Sequence, residues 1–192
     1  MIGGFILDSE GKTKAATGSV NVILAFKLQK AYFHANGSNY LGERADTLKV
    51  RILDYFKKLD LSNNVIYFIR EVRSPGDNFF RCQKTHSVVG SIDVDIVEVF
   101  KPYLKLIINV SRYNAFYKTM LEAELVRLKP DKVFMIGLNT SDSILFTAEE
   151  LRNRGYNTKV IEPLTMSEDD YLQSLGIVLL KNMLCVDVEK GV

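Results

Sequence analysis

Six short apolar runs punctuate the chain: "VILAF" (22 to 26), "VIYFI" (65 to 69), "LKLIIN" (104 to 109), "KVFMIG" (132 to 137), "TKVIE" (158 to 162) and "MLCVDV" (183 to 188). Their apolarity is continuous rather than alternating, the pattern of strands covered on both faces, and it predicts a parallel sheet. Between the first two runs, Leu48, Ile52, Tyr55, Phe56 and Leu59 fall at offsets of four, seven, eight and eleven, which is one face of a helix. Further helices fit Lys118 to Leu128, Asp142 to Arg154 and Ser167 to about Leu180. The last opens with a capping-box spacing, Ser167 with Asp170 in place of the usual Glu, and Gly155 reads as the stop of the helix before it. Strand and helix alternate along nearly the whole length. The economical architecture is therefore α/β: a single domain over residues 1–192, built as a three-layer αβα sandwich around a mostly parallel, Rossmann-like sheet of about six strands.

Two segments fit this alternation poorly. Residues 1 to 20, with "DSEGK" as a turn, predict a small hairpin or an arm, and residues 71 to 92 read as a long loop. A structureless loop of about 20 residues in a compact domain is more often functional than decorative.

Composition narrows the classes. With 192 residues and 47% apolar content, the chain can build a substantial core. A net charge of +2, from 25 basic and 23 acidic residues spread along the chain, offers no polyanion-binding stripe, so nucleic acid is not an expected partner. No apolar run approaches the ~18 residues of a membrane span, and the N-terminal run is too short for a signal peptide. The expectation is a cytoplasmic protein without a membrane partner. Cys82 and Cys185 are too few and too far apart for a disulfide framework; both predict free thiols, with Cys185 in the core.

Ligands of parallel α/β sheets sit beyond the carboxyl ends of the strands. Those ends place Lys27 to Gln29, Val110 to Tyr113 and Leu138 to Ser143 along one edge, so the three clusters should face one another. Neither a Gly-x-Gly-x-x-Gly nor a Walker loop follows any strand. Cys82 and His86 stand four apart, a spacing open to a nucleophile with its base or to an ordinary loop thiol. His34 suits a pocket mouth or a surface turn.

"SRYNAFYKTMLEAEL" followed by "GLNTSDSILFTAEELRNRGY" resembles the isochorismatase-like (nicotinamidase-related) cysteine hydrolases. That family carries Lys-x-Arg-Tyr-x-Ala-Phe-x-x-Thr, then Gly-x-x-Thr-x-x-Cys-x-x-x-Thr-Ala, then Arg-Gly-Tyr. The matching residues are Arg112, Tyr113, Ala115, Phe116 and Thr119, then Gly137, Thr140, Thr147 and Ala148, then Arg154, Gly155 and Tyr156. "VILAFKLQKAYF" takes the place of the strand ending in Asp-x-Gln, with Gln29 retained, and the likeness runs from about Asn21 to Val188. It implies the isochorismatase-like hydrolase fold, a cis peptide near Leu138 and Asn139, and a pocket lined by Gln29, Arg112, Leu138, Asn139 and Thr140. It also implies that all three residues of the family's chemistry are replaced. The cysteine corresponds to Ser143, the aspartate base to Lys27 and the lysine to Val110. The Asp-x-His-x-x-x-His pattern that holds a metal in nicotinamidases is missing too: the region offers Asp77 and a lone His86, so neither a metal nor another cofactor is expected.

Serine is a far weaker acid than a cysteine of pKa about 8.5, and it needs a base. Lys27 could serve only if burial lowered its pKa by about three units from about 10.4. An oxyanion hole of backbone N–H groups at the turn before Ser143 could survive the substitutions. Against this stand the plainer roles: Ser143 as a small residue in a helix's first turn, Lys27 in solvent or paired with Asp142, and Val110 as packing. The sequence thus supports an inactive homologue that binds a small-molecule ligand or a protein, and is expected to form a homo-oligomer as the family often does. The alternative is a hydrolase of small amides or esters using Ser143 with Lys27. A third role is a structural subunit beside an active paralogue.

Overall fold

The computed structural model describes residues 6–7, 13–14 and 20–191. Strands β1 (Ile6–Leu7) and β2 (Thr13–Lys14) pair antiparallel; the rest of the segment 1–19 lies outside the described residues. The chain continues through β3 (Asn21–Phe26), α1 (Lys30–Phe33), α2 (Glu43–Lys58), β4 (Asn64–Glu71), β5 (Leu106–Val110), α3 (Leu121–Leu128) and β6 (Lys132–Leu138). It ends in α4 (Leu145–Asn153), β7 (Thr158–Met166), α5 (Asp170–Asn182) and β8 (Asp187–Glu189). Strands β3 to β8 form one parallel sheet in the order β5-β4-β3-β6-β7-β8. The α/β sandwich predicted from the apolar runs is the fold.

Period-two alternation along β3 assigns its side chains to two cores. Val22, Leu24 and Phe26 pack with Leu121, Leu125, Ala148, Leu151 and Ile177, so α3, α4 and α5 cover one face. Ile23 and Ala25 pack with Tyr32, Leu48, Ile52 and Phe56, so α1 and α2 cover the other. No helix among the described residues is long and apolar enough to cross a membrane.

Several boundaries differ from the sequence reading, each for a local reason. The third helix starts at Leu121 rather than Lys118, because Lys118 takes φ 54° and Thr119 Oγ1 accepts from the Leu121 N–H at 3.2 Å. Ser167 does not cap α5. Asp169 does, accepting from the Leu172 N–H at 2.7 Å. The last strand is confined to Asp187–Glu189 because Cys185 takes φ 49°, which breaks the extended backbone of the run, and Cys185 is exposed rather than in the core.

The long loop is largely organised. Its first residue, Glu71, belongs to β4, and a single bridge between Arg73 and Val88 closes the remainder into a loop. Within it, Asp77 caps a 3₁₀ turn over Asn78–Arg81 by accepting from the Phe79 N–H at 3.0 Å.

Candidate functional site

The sheet order decides which strand ends meet. Strand β4 lies between β5 and β3, so Val110 is registered opposite Glu71, and Lys27 follows β3 on the other side of β4. The turn after β6 approaches Lys27 from its far side. Val110 is buried in the apolar core, while Lys27 Nζ lies 3.4 Å from Asp142 Oδ1 and 3.8 Å from Glu71 Oε1. Of the three expected clusters, the structure thus joins Lys27, Tyr113 and Asp142, and inserts Glu71 among them.

Lys27 is only 2% exposed, and its ammonium sits over the rings of Tyr32 and Tyr113 at 5.8 and 5.6 Å. Burial alone would lower its pKa, but the Asp142 and Glu71 carboxylates outweigh that cost, and the net shift is upward. The lysine therefore remains a cation at neutral pH. For Glu71, burial pushes the carboxyl pKa up; Lys27, a hydrogen bond from His86 and the Arg73 guanidinium pull it far below the usual range.

Glu71 is a hub of four donors. Its Oε1 accepts from Arg73 Nε at 3.0 Å and Nη2 at 2.6 Å, and its Oε2 accepts from the Tyr32 hydroxyl and lies 3.0 Å from His86 Nε2. Arg73, 1% exposed, stacks over Phe79 at 4.4 Å. A guanidinium buried this deeply needs carboxylates, and Glu71 with Asp77 supply them.

Gln29 is fully buried and clamps β4: its Nε2 donates to the Glu71 carbonyl at 2.9 Å and its Oε1 accepts from the Glu71 N–H at 2.6 Å. Arg112 pairs with Asp77 at 2.9 Å. His86 turns its Nε2 to Glu71 and its Nδ1 to the Lys84 carbonyl, while Cys82 is exposed, so the two do not form a nucleophile and base. His34 serves a surface turn, its Nδ1 accepting from the Asn36 N–H.

The turn from Leu138 to Ser143 carries the remaining candidates. The Leu138–Asn139 peptide is cis, and Thr140–Ile144 form a π-helical turn leading into α4. Gly137 precedes it with φ 101°; a Cβ there would stand 2.1 Å from the Phe26 carbonyl oxygen, so only glycine lets β6 lie so close to β3. Helix α5 seals the turn from outside at Gly176, where a Cβ would meet Ser141 N at 2.9 Å.

The turn's N–H groups already have acceptors within the protein. That of Ser141 donates to Ser167 Oγ at 3.1 Å, that of Asp142 to the Asn139 carbonyl at 3.4 Å, and that of Ser143 to the Asp142 carboxylate. By contrast Ser143 Oγ, Thr140 Oγ1 and Asn139 Oδ1 are buried with no hydrogen-bond partner among the described residues. Asn139 and Asp142 open onto a cavity of about 300 Å³ beside Tyr113 and Phe146. A larger cavity of about 430 Å³ lies at the opposite edge, beside Asn21 and Asn64 where strands begin. The carboxyl-edge cavity is the candidate site, since open parallel sheets bind ligands there.

Residues 22–188 match the model of the isochorismatase domain family. The chain belongs to the isochorismatase family. Solved structures agree on the fold. A pyrazinamidase/nicotinamidase from Streptococcus mutans has a TM-score of 0.78 at 19% identity, covering 88% of this chain and 99% of that one. An isochorismatase-like hydrolase from Alkaliphilus metalliredigens gives 0.76 at 19%, covering 89% and 94%. N-carbamoylsarcosine amidase from Thermoplasma acidophilum gives 0.74 at 18%, covering 90% and 98%. No match was found among curated protein sequences.

One structural relative, a pyrazinamidase from Pyrococcus horikoshii, is in complex with zinc. The residues here do not fit such an ion. Among the described residues no three His, Cys, Asp or Glu side chains converge, and the Glu71 oxygen nearest Arg73 is taken by its guanidinium.

Sequence reasoning missed Glu71, Arg73 and Tyr32 as members of this buried cluster. A usable signal was "IREVR": Glu71 and Arg73 stand two apart at a strand end and so share one face.

Proposed function

We propose that this isochorismatase-family chain does not run the family's cysteine-hydrolase reaction and acts by binding. The observation that carries this reading is the state of Lys27. At the position where the family's resemblance expects a base, an ammonium is neutralised by Asp142 and Glu71, with its pKa raised. A general base must give up its proton near the working pH, and these carboxylates oppose that. Ser143 Oγ has no hydrogen-bond partner among the described residues, so nothing is poised to take its proton. The Ser143 N–H, a natural oxyanion donor, is directed at Asp142.

The alternative, a hydrolase using Ser143 with Lys27, would have to dismantle this ion pair first. The test is a screen of small amides, esters and vinyl ethers with the purified full chain and its Ser143→Ala variant. The expected result is no turnover above the variant's background. Turnover that vanishes in Ser143→Ala would overturn the proposal.

A further inference from the structure

The outward face of α5 does not suit solvent. Tyr171, Leu175, Val178 and Asn182 follow one another at offsets of four, seven and eleven from the first, so they form one line along the helix, and the three apolar members are 75%, 38% and 50% exposed. The opposite side of α5, with Ile177 and Leu180, already packs in the sheet core. On one flank of the line the apolar surface continues through Leu172 and Leu179, which share the carboxyl-edge cavity with Phe146 of α4. A helix that is apolar on both faces is normally covered on both, and a connected exposed patch of this kind marks an interaction surface.

The charges on the other flank indicate what covers it. Asp170 and Lys181 stand eleven positions, about three turns, apart, so they lie on the same flank at opposite ends of α5. Where two copies pack α5 antiparallel across a two-fold axis, each flank stays on its own side while the ends exchange. Asp170 then meets Lys181 of the partner subunit, and the contact occurs twice. Along the line, Leu175 meets Val178 of the partner subunit, and bulky Tyr171 meets the smaller Asn182 of the partner subunit. Within one chain the two charges are held only by surface pairs, Asp170 with Arg44 at 2.7 Å and Lys181 with Glu162 at 3.4 Å, which contribute little and leave both free to exchange partners. A lipid surface is a poorer match, because it favours Lys and Arg along the polar flanks, and one acid with one base does not supply them.

We propose that α5 is a self-association face: a second copy of this chain docks antiparallel on Tyr171, Leu175 and Val178, with reciprocal Asp170–Lys181 contacts fixing the register. Because Leu175 also lines the carboxyl-edge cavity, the docked copy narrows that cavity's apolar side. The proposal is independent of whether the chain turns over a substrate. One helix pair buries less than the standard interface of about 1,600 Å², so the association is weak and belongs to concentrated protein.

The test is sedimentation velocity on the full chain at about 0.1 mM, where an interface of this size should hold a dimer. Val178→Lys, at a half-exposed position, should raise the dissociation constant about tenfold or more with the circular dichroism spectrum unchanged. Asp170→Lys and Lys181→Asp each set like charges against one another twice, so each variant alone should be weakened about tenfold. Mixed, the two variants restore an opposite pair at both contacts, and their heterodimer should return to within about threefold of the native affinity. A native chain that stays monomeric at that concentration, a dimer indifferent to Val178→Lys, or a mixture no more associated than its two components would each overturn the proposal.

Discussion

Around Glu71, Lys27, Arg73 and Gln29 all find partners, whereas in the neighbouring turn Asn139, Thr140 and Ser143 each keep a buried polar atom without one. Both halves of the site lie at the same sheet edge. The first is closed: opposite charges from β3, β4 and the loop after it neutralise one another in a place that water scarcely reaches. The second is unfinished, and of its three residues Asn139 lines the cavity. A saturated network holds structure, whereas buried polar atoms without partners cost stability where they lie.

The sharpest way to break this comparison is to remove the hub. Glu71→Ala leaves Lys27 and Arg73 buried without their shared carboxylate, and it should cost about 3–5 kcal/mol in urea unfolding at neutral pH. A cost near that of a surface substitution would mean the closed half is not closed. The same carboxylate sets a pH dependence. Its folded pKa lies below the ordinary 4.5, so its contribution is fully present above 4.5 and is lost as pH falls from there toward the depressed folded value. Stability of the native chain should therefore decline in acid more steeply than that of Glu71→Gln, which has no such group to protonate. The smallest effect belongs to the open half. Ser143→Ala removes a hydroxyl that makes no bond, and it should change stability by no more than about 0.5 kcal/mol, or raise it slightly. A large loss there would show that the hydroxyl is engaged, erasing the contrast.

The two halves also differed in how far the sequence disclosed them. The turn was legible because glycine and the Thr-x-x-Ser spacing are local: Gly137, Thr140 and Ser143 stand within a few positions and report a tight strand-to-helix corner. The ion cluster was not. Glu71 follows an apolar run and is succeeded by turn-forming residues, so it reads as the start of a loop; its burial depends on cations that arrive from residues 27 and 73 and on Tyr32. Charge pairing across distant segments leaves no periodic trace in a single sequence. The same reasoning explains Gln29, retained from the family pattern and thus expected at the pocket, but committed to the backbone of β4. Helix ends were misread on a smaller scale, because Ser167 and Asp169 are both competent caps, and only the close packing of α5 on Ser141 assigns Ser167 to the turn.

Tyr32 gives the closed half an optical voice. The chain has 9 tyrosines and no tryptophan, so its near-ultraviolet spectrum is dominated by tyrosine. Burial, and then the Glu71 carboxylate, hold the Tyr32 phenol well above its ordinary pKa, while Tyr55 and Tyr67 are pushed up to about 12, mainly by burial. In an alkaline titration the Tyr32 phenol, buried and donating to Glu71, resists ionisation while the cluster around it holds. Tyrosinate absorbance from Tyr32 is thus a label-free signal for the integrity of the Glu71 network.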